Sequence, residues 1–277
     1  MAIITISRGS MSGGEALAGR LAEKLGYPSV GREVIVAAAE KLGVEERFLS
    51  EKFMRSPGLW ERMTSNRRLY LVAVQAALAE HSANGDLIYH GNAGHLLLRG
   101  IRSVLRVRLI APLDLRIRAV MERKKTGLDA AESHIRQVDE ERIRWTRFIY
   151  DVDWTDPSLY DLSVNLERMS MNTACLVIAE AVRQPEFATT REVEKELRDF
   201  LLACRVKLAL ATNPQTRHFD LDVTANDGDV EITGVLPAAY KLGAASTRDE
   251  DQIRRTAQSV GGVRSTRLNA QRMPTPD

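Results

Sequence analysis

The chain has 277 residues, 44% hydrophobic and 27% charged, the proportions of a soluble globular protein, which excludes disordered, collagenous and fibrous classes. Its 39 Lys and Arg against 37 Asp and Glu leave a net charge of +2, too balanced for bulk charge to indicate nucleic acid. Two cysteines, Cys175 and Cys204, lie in separate predicted helices without CxxC spacing, so neither a disulfide framework nor a structural zinc site is expected.

Residues 2–6 are apolar and β-branched, a short buried strand. A small-residue loop, Ser7 to Gly14, leads into Leu17, Leu21 and Leu25 at helical spacing, stopped by Gly26 with Pro28 beyond. Helices are predicted over 32–42 and 59–83, then a strand from Leu87 to Tyr89 running into His90-Gly91-Asn92. A strand from Val104 to Ile110 is closed by Pro112, and a helix follows from Leu113 to Lys124. Asp129 to Tyr150 reads as a long Arg-rich helix in which Asp129 and Glu132 have the spacing of a capping box. Leu162 to Val164 is a strand and Ser170 to Arg183 a helix. This alternation predicts an α/β fold with a mainly parallel sheet covered on both faces.

The pattern changes after Gln184-Pro185. A charged helix over 190–206 precedes two alternating strands, Phe219 to Ala225 and Val230 to Leu236, with Asn226-Asp227-Gly228-Asp229 between them as a hairpin signal. A helix from about Thr247 to Val260 and a strand from Val263 to Leu268 complete an αββαβ unit. The expected division is therefore 1–184 as the first domain, 185–189 as linker, 190–270 as a second domain and 271–277 as a tail.

A Gly-rich loop between a first strand and a helix directs backbone N–H groups at an anion. Ser7, Arg8, Gly9, Ser10, Met11, Ser12, Gly13, Gly14 and Glu15 are the candidate phosphate-binding residues. On spacing alone, a plain tight turn fits equally well. The run Ile4-Thr5-Ile6-Ser7-Arg8 followed by Ser12-Gly13-Gly14 resembles the opening of the cytidylate kinase-like P-loop proteins. Further blocks keep that family's order. Val107 to Pro112 with Arg116 resembles the strand and helix before its lid, Val138-Asp139-Glu140-Glu141-Arg142 its lid, and Asp151 to Trp154 with Tyr160 to Asn165 its post-lid strand. The second unit resembles a BON domain at Val230 to Gly234 and at Val260 to Ser265.

The resemblance implies a P-loop kinase fold with an Arg-rich helical lid, joined to a small BON-like domain. It also implies ATP and Mg²⁺ as cofactors, with transfer of the ATP γ-phosphoryl to CMP, dCMP or a related acceptor. It makes Arg136, Asp139 and Arg142 the candidate catalytic residues and Arg32 and Asn92 the acceptor-binding ones, with no resident protein metal site. A full P-loop reads GxxxxGK[ST]; here Gly14 stands at the Lys position and Glu15 at the Ser/Thr position. Arg8 reads either as the replacement charge or as a surface residue at a strand end. Glu15 reads either as a helix-start acid facing solvent or as a Mg²⁺ ligand.

Asn92 brings no charge where the family has Arg. At 100° per residue Arg136, Arg144 and Arg147 share one side of the lid helix and Arg142 stands apart; ion pairing on a solvated face is the competing reading of that helix. His90 and His95 read as loop residues, and Trp154 as a core or lid-base anchor.

The alternative to an enzyme is a nucleotide-binding pseudokinase serving as sensor or scaffold. Expected partners are a nucleotide and, through the BON-like domain, anionic phospholipid or a protein; with aromatics at 5% and no recognition motif, nucleic acid is not expected. The first residues lack a basic segment followed by an apolar stretch. The run Leu71 to Ala79, interrupted by Gln75, falls far short of the about 20 residues of a membrane span. The expected location is the cytoplasm, peripheral to the inner membrane where the BON-like domain attaches.

Overall fold

The computed structural model describes residues 2–46, 64–236 and 243–272. Strand β1 (Ile3–Arg8) lies at the centre of a five-stranded sheet. It pairs in parallel with β3 (Leu87–Tyr89) on one side and β4 (Val104–Ile110) on the other; β2 (Ser29–Val30) and β5 (Leu162–Asn165) form the edges, in the order β2-β3-β1-β4-β5. Successive side chains of a strand point to opposite faces, so a strand covered on both sides must be apolar at nearly every position. Ile3 accordingly packs with Val34, Ala38, Val74 and Leu78 of helices α2 (Glu33–Leu42) and α3 (Thr64–His81). Its neighbours Ile4 and Ile6 pack with Leu17, Leu21 and Ile178 of α1 (Gly14–Leu25) and α7 (Met171–Ala181) on the other face.

A short helix α4 (Gly94–Leu97) follows β3, and the helical pair α5 (Leu113–Lys124) and α6 (Leu128–Tyr150) rises between β4 and β5. The two-residue strand β2 and helix α4 have no counterpart in the sequence reading, because both are shorter than the period that would reveal them. Helix α3 begins at Thr64; the expected start at 59 lies outside the described residues. The Asp129–Glu132 capping box does not form. Helix α6 starts at Leu128, with Gly127 as its cap, so Asp129 already lies inside the first turn and Glu132 is left to pair with Arg136.

A separate three-stranded sheet, ordered β6-β7-β8, occupies the C-terminal part. Strands β6 (Asp220–Asn226) and β7 (Asp229–Leu236) form an antiparallel hairpin, and β8 (Ser265–Arg272) runs parallel to β7. Asp227 and Gly228 have φ of 49° and 87°, the two positive values that a type I′ hairpin turn requires. Helices α8 (Arg191–Thr212) and α9 (Gly243–Gln258) cover this sheet, giving the expected αββαβ order.

Helix α8 also enters the first core. Its Val193 and Leu197 are buried in the cluster that holds Ile3 and Leu78, whereas its Val206 and Leu210 are buried with Phe219, Val230 and Ile253. Arg68 of α3 reinforces the junction, donating to the backbone oxygens of Phe219 and of Leu221 (2.7 Å) and pairing with Asp220 at 2.7 Å. Among the described residues no helix is long and apolar enough to cross a membrane.

Candidate active site

The loop after β1 turns through Met11 and Gly13, whose φ values of 59° and 81° are both positive, and Gly13 caps α1. The first N–H groups of a helix have no intrahelical partner, so backbone donors converge at this turn. Its tip is fixed by packing: Met11 lies against Ile117, Val120, Ala131 and Ile135 of α5 and α6.

Gly14 opens α1 directly after Gly13. A Cβ there would fall 1.9 Å from Cδ of Arg8. The Arg8 side chain therefore lies along Gly14, in space that a side chain at that position would need, and its Nη1 donates to the backbone oxygen of His90 at 2.5 Å. Burial pulls the Arg8 guanidinium below its ordinary pKa, opposed by the charges of Glu15 and Tyr89. Glu15 is exposed in the first turn of α1.

Three hydrogen bonds join the lid helices to the loop backbone. Arg116 Nε donates to the Ser10 oxygen at 2.7 Å, the Ser10 N–H donates to Asp139 Oδ1 at 2.9 Å, and Arg142 Nη1 donates to the Arg8 oxygen at 2.6 Å. Arg116 and Asp139 close the circuit with an ion pair of 2.5 Å. Gly9 makes room for it, since a Cβ there would meet the Arg116 guanidinium at 3.0 Å. Burial and then the neighbouring Arg8 lower Arg142 to a pKa of about 10, against the raising influence of Asp139.

Beside the loop, a pocket is lined by Ser7 and Arg8 of β1, Asn92 after β3, His95 of α4, Glu141, Arg142 and Trp145 of α6, and Trp154. Ser7 Oγ lies 2.8 Å from His95 Nδ1. Burial, with the nearby charge of Arg106, pushes the imidazole down to a pKa of about 4, so it is neutral at pH 7. Tyr160, whose ring centroid lies 4.8 Å from that of His95, donates its hydroxyl to the Trp154 backbone oxygen at 2.7 Å. Arg108 sits over the Trp154 ring at 5.6 Å.

The structure therefore brings together Ser7, Arg8, the loop through Gly14, Asn92, Asp139 and Arg142. Two expected residues lie elsewhere. Arg32 is a surface residue, its side chain 74% exposed and paired with Glu46. Arg136 is 62% exposed and paired with Glu132 at 2.6 Å on the outer face of α6. His95, assigned from the sequence to a loop, is a buried helical residue in the pocket wall. Trp154, read from the sequence as a core or lid-base anchor, joins it there, as does Trp145 without any local sequence signal, and Arg116 was visible only as part of the block of Val107 to Pro112 with Arg116. Among the described residues no group of three or more His, Cys, Asp or Glu could hold a metal ion.

The model of the cytidylate kinase-like family matches residues 3–168. The cytidylate kinase of Methanopyrus kandleri is 25% identical over 189 residues, covering 65% of this chain and 92% of that protein. The cytidylate kinase of Methanobrevibacter smithii is 27% identical over 182 residues, covering 65% and 98%. An uncharacterized protein of Eubacterium ventriosum, known from its crystal structure, has a TM-score of 0.50 at 18% identity over 66% of this chain and 98% of its own, a likeness of fold. The matched span takes in the five-stranded sheet, the glycine-rich loop after β1 and the helices α5 and α6, and the chain belongs to the cytidylate kinase-like family.

Proposed function

We propose that the protein transfers the γ-phosphoryl of ATP to a nucleoside monophosphate, with CMP or dCMP as the first acceptors to test. The observation that carries this reading is the position of Arg8. A P-loop without its lysine lacks the charge that reaches the β- and γ-phosphates, and here a guanidinium lies along the glycine that replaced it. Phosphoryl transfer depends on positioning and charge neutralisation far more than on covalent participation by the protein. The loop amides and the start of α1 hold the donor phosphates in this reading. Arg8 and Arg142, tied together through the Arg8 backbone oxygen, face the phosphoryl in transit. Asp139 holds the lid on the loop through Ser10 and Arg116, which is a positioning task, and Arg136 on the outer face takes no direct part.

Bound Mg²⁺ would neutralise negative charge on the donor phosphates; it needs only one or two carboxylates beyond phosphate and water, and Glu15 at the loop would be the side chain to supply one. We further propose that the second unit is BON-like and attaches the enzyme to anionic phospholipid or a protein partner. Arg264 and Arg267, near the start of β8, supply positive charge for a lipid surface; flotation with anionic and neutral vesicles tests this.

The decisive experiment is ADP formation from ATP and Mg²⁺ with CMP, dCMP, UMP, AMP and GMP, run beside a thermal-shift panel of the same nucleotides. Turnover with a pyrimidine monophosphate is expected. Stabilisation by ATP without turnover on any acceptor would instead make the protein a nucleotide-binding scaffold.

A further inference from the structure

The pocket beside the loop, whose one acidic lining residue is Glu141, is walled by residues that carry buried polar atoms without partners. Arg142, Trp154 and His95 all line it, and Arg142 Nε, Trp154 Nε1 and His95 Nε2 are each buried without a hydrogen-bond partner among the described residues. Buried polar groups in native proteins are almost always satisfied, so three in one wall point to a ligand that satisfies them. An indole N–H and a guanidinium N–H can only donate. Ser7 Oγ lies 2.8 Å from His95 Nδ1; in the neutral tautomer that accepts there, Nε2 carries the proton and is a third donor, whereas a donating Nδ1 leaves Nε2 an acceptor.

The charge balance points the same way. Two arginines, Arg8 and Arg142, line the pocket against one carboxylate, Glu141, while the nearby Asp139 is already engaged by Arg116. The group that fits this wall is compact, anionic and rich in oxygen acceptors.

Position distinguishes which anion. The lining includes Ser7 and Arg8 but none of the loop residues from Gly9 to Glu15; it continues through Asn92 and His95 on the β3 side. It therefore lies beside the donor cradle and not within it. Arg32 faces solvent with Glu46, and Asn92 is uncharged, so the two residues expected to hold an acceptor provide no charge here.

We propose that Arg142 Nε, Trp154 Nε1 and His95 Nε2 form the face that reads the monophosphate group of the acceptor nucleotide. This rests on the kinase reading above. Ser7 is the positioning residue that selects the imidazole tautomer. Trp154 is in turn held by the Tyr160 hydroxyl on its backbone oxygen and by Arg108 over its ring.

The test uses the full chain and the variants Trp154→Phe, His95→Asn and His95→Gln. Asn keeps an amide at the Nδ1 position for Ser7 and loses the pocket-facing atom; Gln places an amide near the Nε2 position. Calorimetry with CMP, cytidine and ATP should show CMP affinity about tenfold weaker in Trp154→Phe and in His95→Asn, on the scale of one hydrogen bond to a charged group. Part of that affinity should return in His95→Gln, while cytidine and ATP affinities hold. Nitrogen-15 spectra should show His95 with the proton on Nε2, and its signal and the Trp154 indole N–H should move when CMP or inorganic phosphate is added.

CMP affinity equal to wild type in both Trp154→Phe and His95→Asn would overturn the proposal, as would an equal loss of ATP affinity or a proton found on Nδ1. If no monophosphate binds the wild-type protein, the kinase reading falls, and the phosphate titration still decides. Movement of the two signals with inorganic phosphate keeps the anion subsite, and no movement removes it too.

Discussion

A Cβ on Gly14 would fall 1.9 Å from the Arg8 side chain, so neither residue can be changed without regard to the other. Arg8→Ala should weaken ATP binding about ten to a hundredfold, the worth of one hydrogen bond to a charged group. Gly14→Lys alone should fail to improve binding and should lower stability by about 1–3 kcal/mol, because it expels Arg8 from the His90 oxygen. The double variant Arg8→Ala with Gly14→Lys should recover most of the ATP affinity; calorimetry on the four proteins gives the coupling, and additive effects would refute the exchange.

A second residue-scale prediction concerns His95, which faces Ser7 from β1, Arg106 from β4 and the Tyr160 ring. Its folded pKa of about 4 lies below the ordinary value near 6.5. Between those values the unfolded chain takes up a proton that the folded one refuses. Its contribution is therefore fully present above about pH 6.5 and is lost as pH falls toward 4, by at most about 3 kcal/mol. Urea melts from pH 7 to pH 4.5 should show this slope in the wild type and a shallower one in His95→Asn. Nothing in the local sequence announces His95. It is separated from Ser7 by most of the first half-sheet, and only the parallel pairing of β1 with β3 brings the two together.

At the scale of elements, the lid helix shows how far periodicity reaches. Its spacing separates Arg142 from Arg136, Arg144 and Arg147, but the inward side depends on the partner surface, which periodicity does not contain. The structure turns Arg142 to the loop and leaves Arg136 outside. The main strands and helices were legible because each carries several turns or alternations of apolar residues. The two-residue β2 and the four-residue α4 carry too few.

The clamp between lid and loop makes a third prediction. Asp139→Asn removes the charge that holds Arg116, whose side chain is 12% exposed, and should destabilise the protein by about 1–3 kcal/mol. The amide of Ser10 should exchange with solvent faster in this variant, read by hydrogen-exchange mass spectrometry. Unchanged exchange at Ser10 would mean that the loop holds its shape without the lid.

At the scale of the molecule, the change from βα alternation to an αββαβ unit was visible in the sequence, and the structure has two separate sheets. Less visible was the double role of α8, which reads from the sequence only as a charged helix, with nothing to say that its apolar positions divide between two cores. A chain ending at residue 184 loses Val193 and Leu197, two side chains buried in the first core. At about 1.5–3 kcal/mol for each, and about 2–4 °C per kcal/mol at this size, its melting temperature should fall by roughly 6–24 °C in a calorimetric scan. A chain ending at residue 200 should regain most of that loss; equal melting of both chains and the full protein would show that α8 adds nothing to the first core.

The same helix sets a direction. Its 22 residues run about 33 Å at 1.5 Å per residue, with one half embedded in each core, so the small sheet cannot swivel about a hinge between them. Arg68 adds a second fixed point, gripping the start of β6 from α3. Whatever the small sheet rests against, the pocket beside the loop therefore keeps one fixed orientation to it.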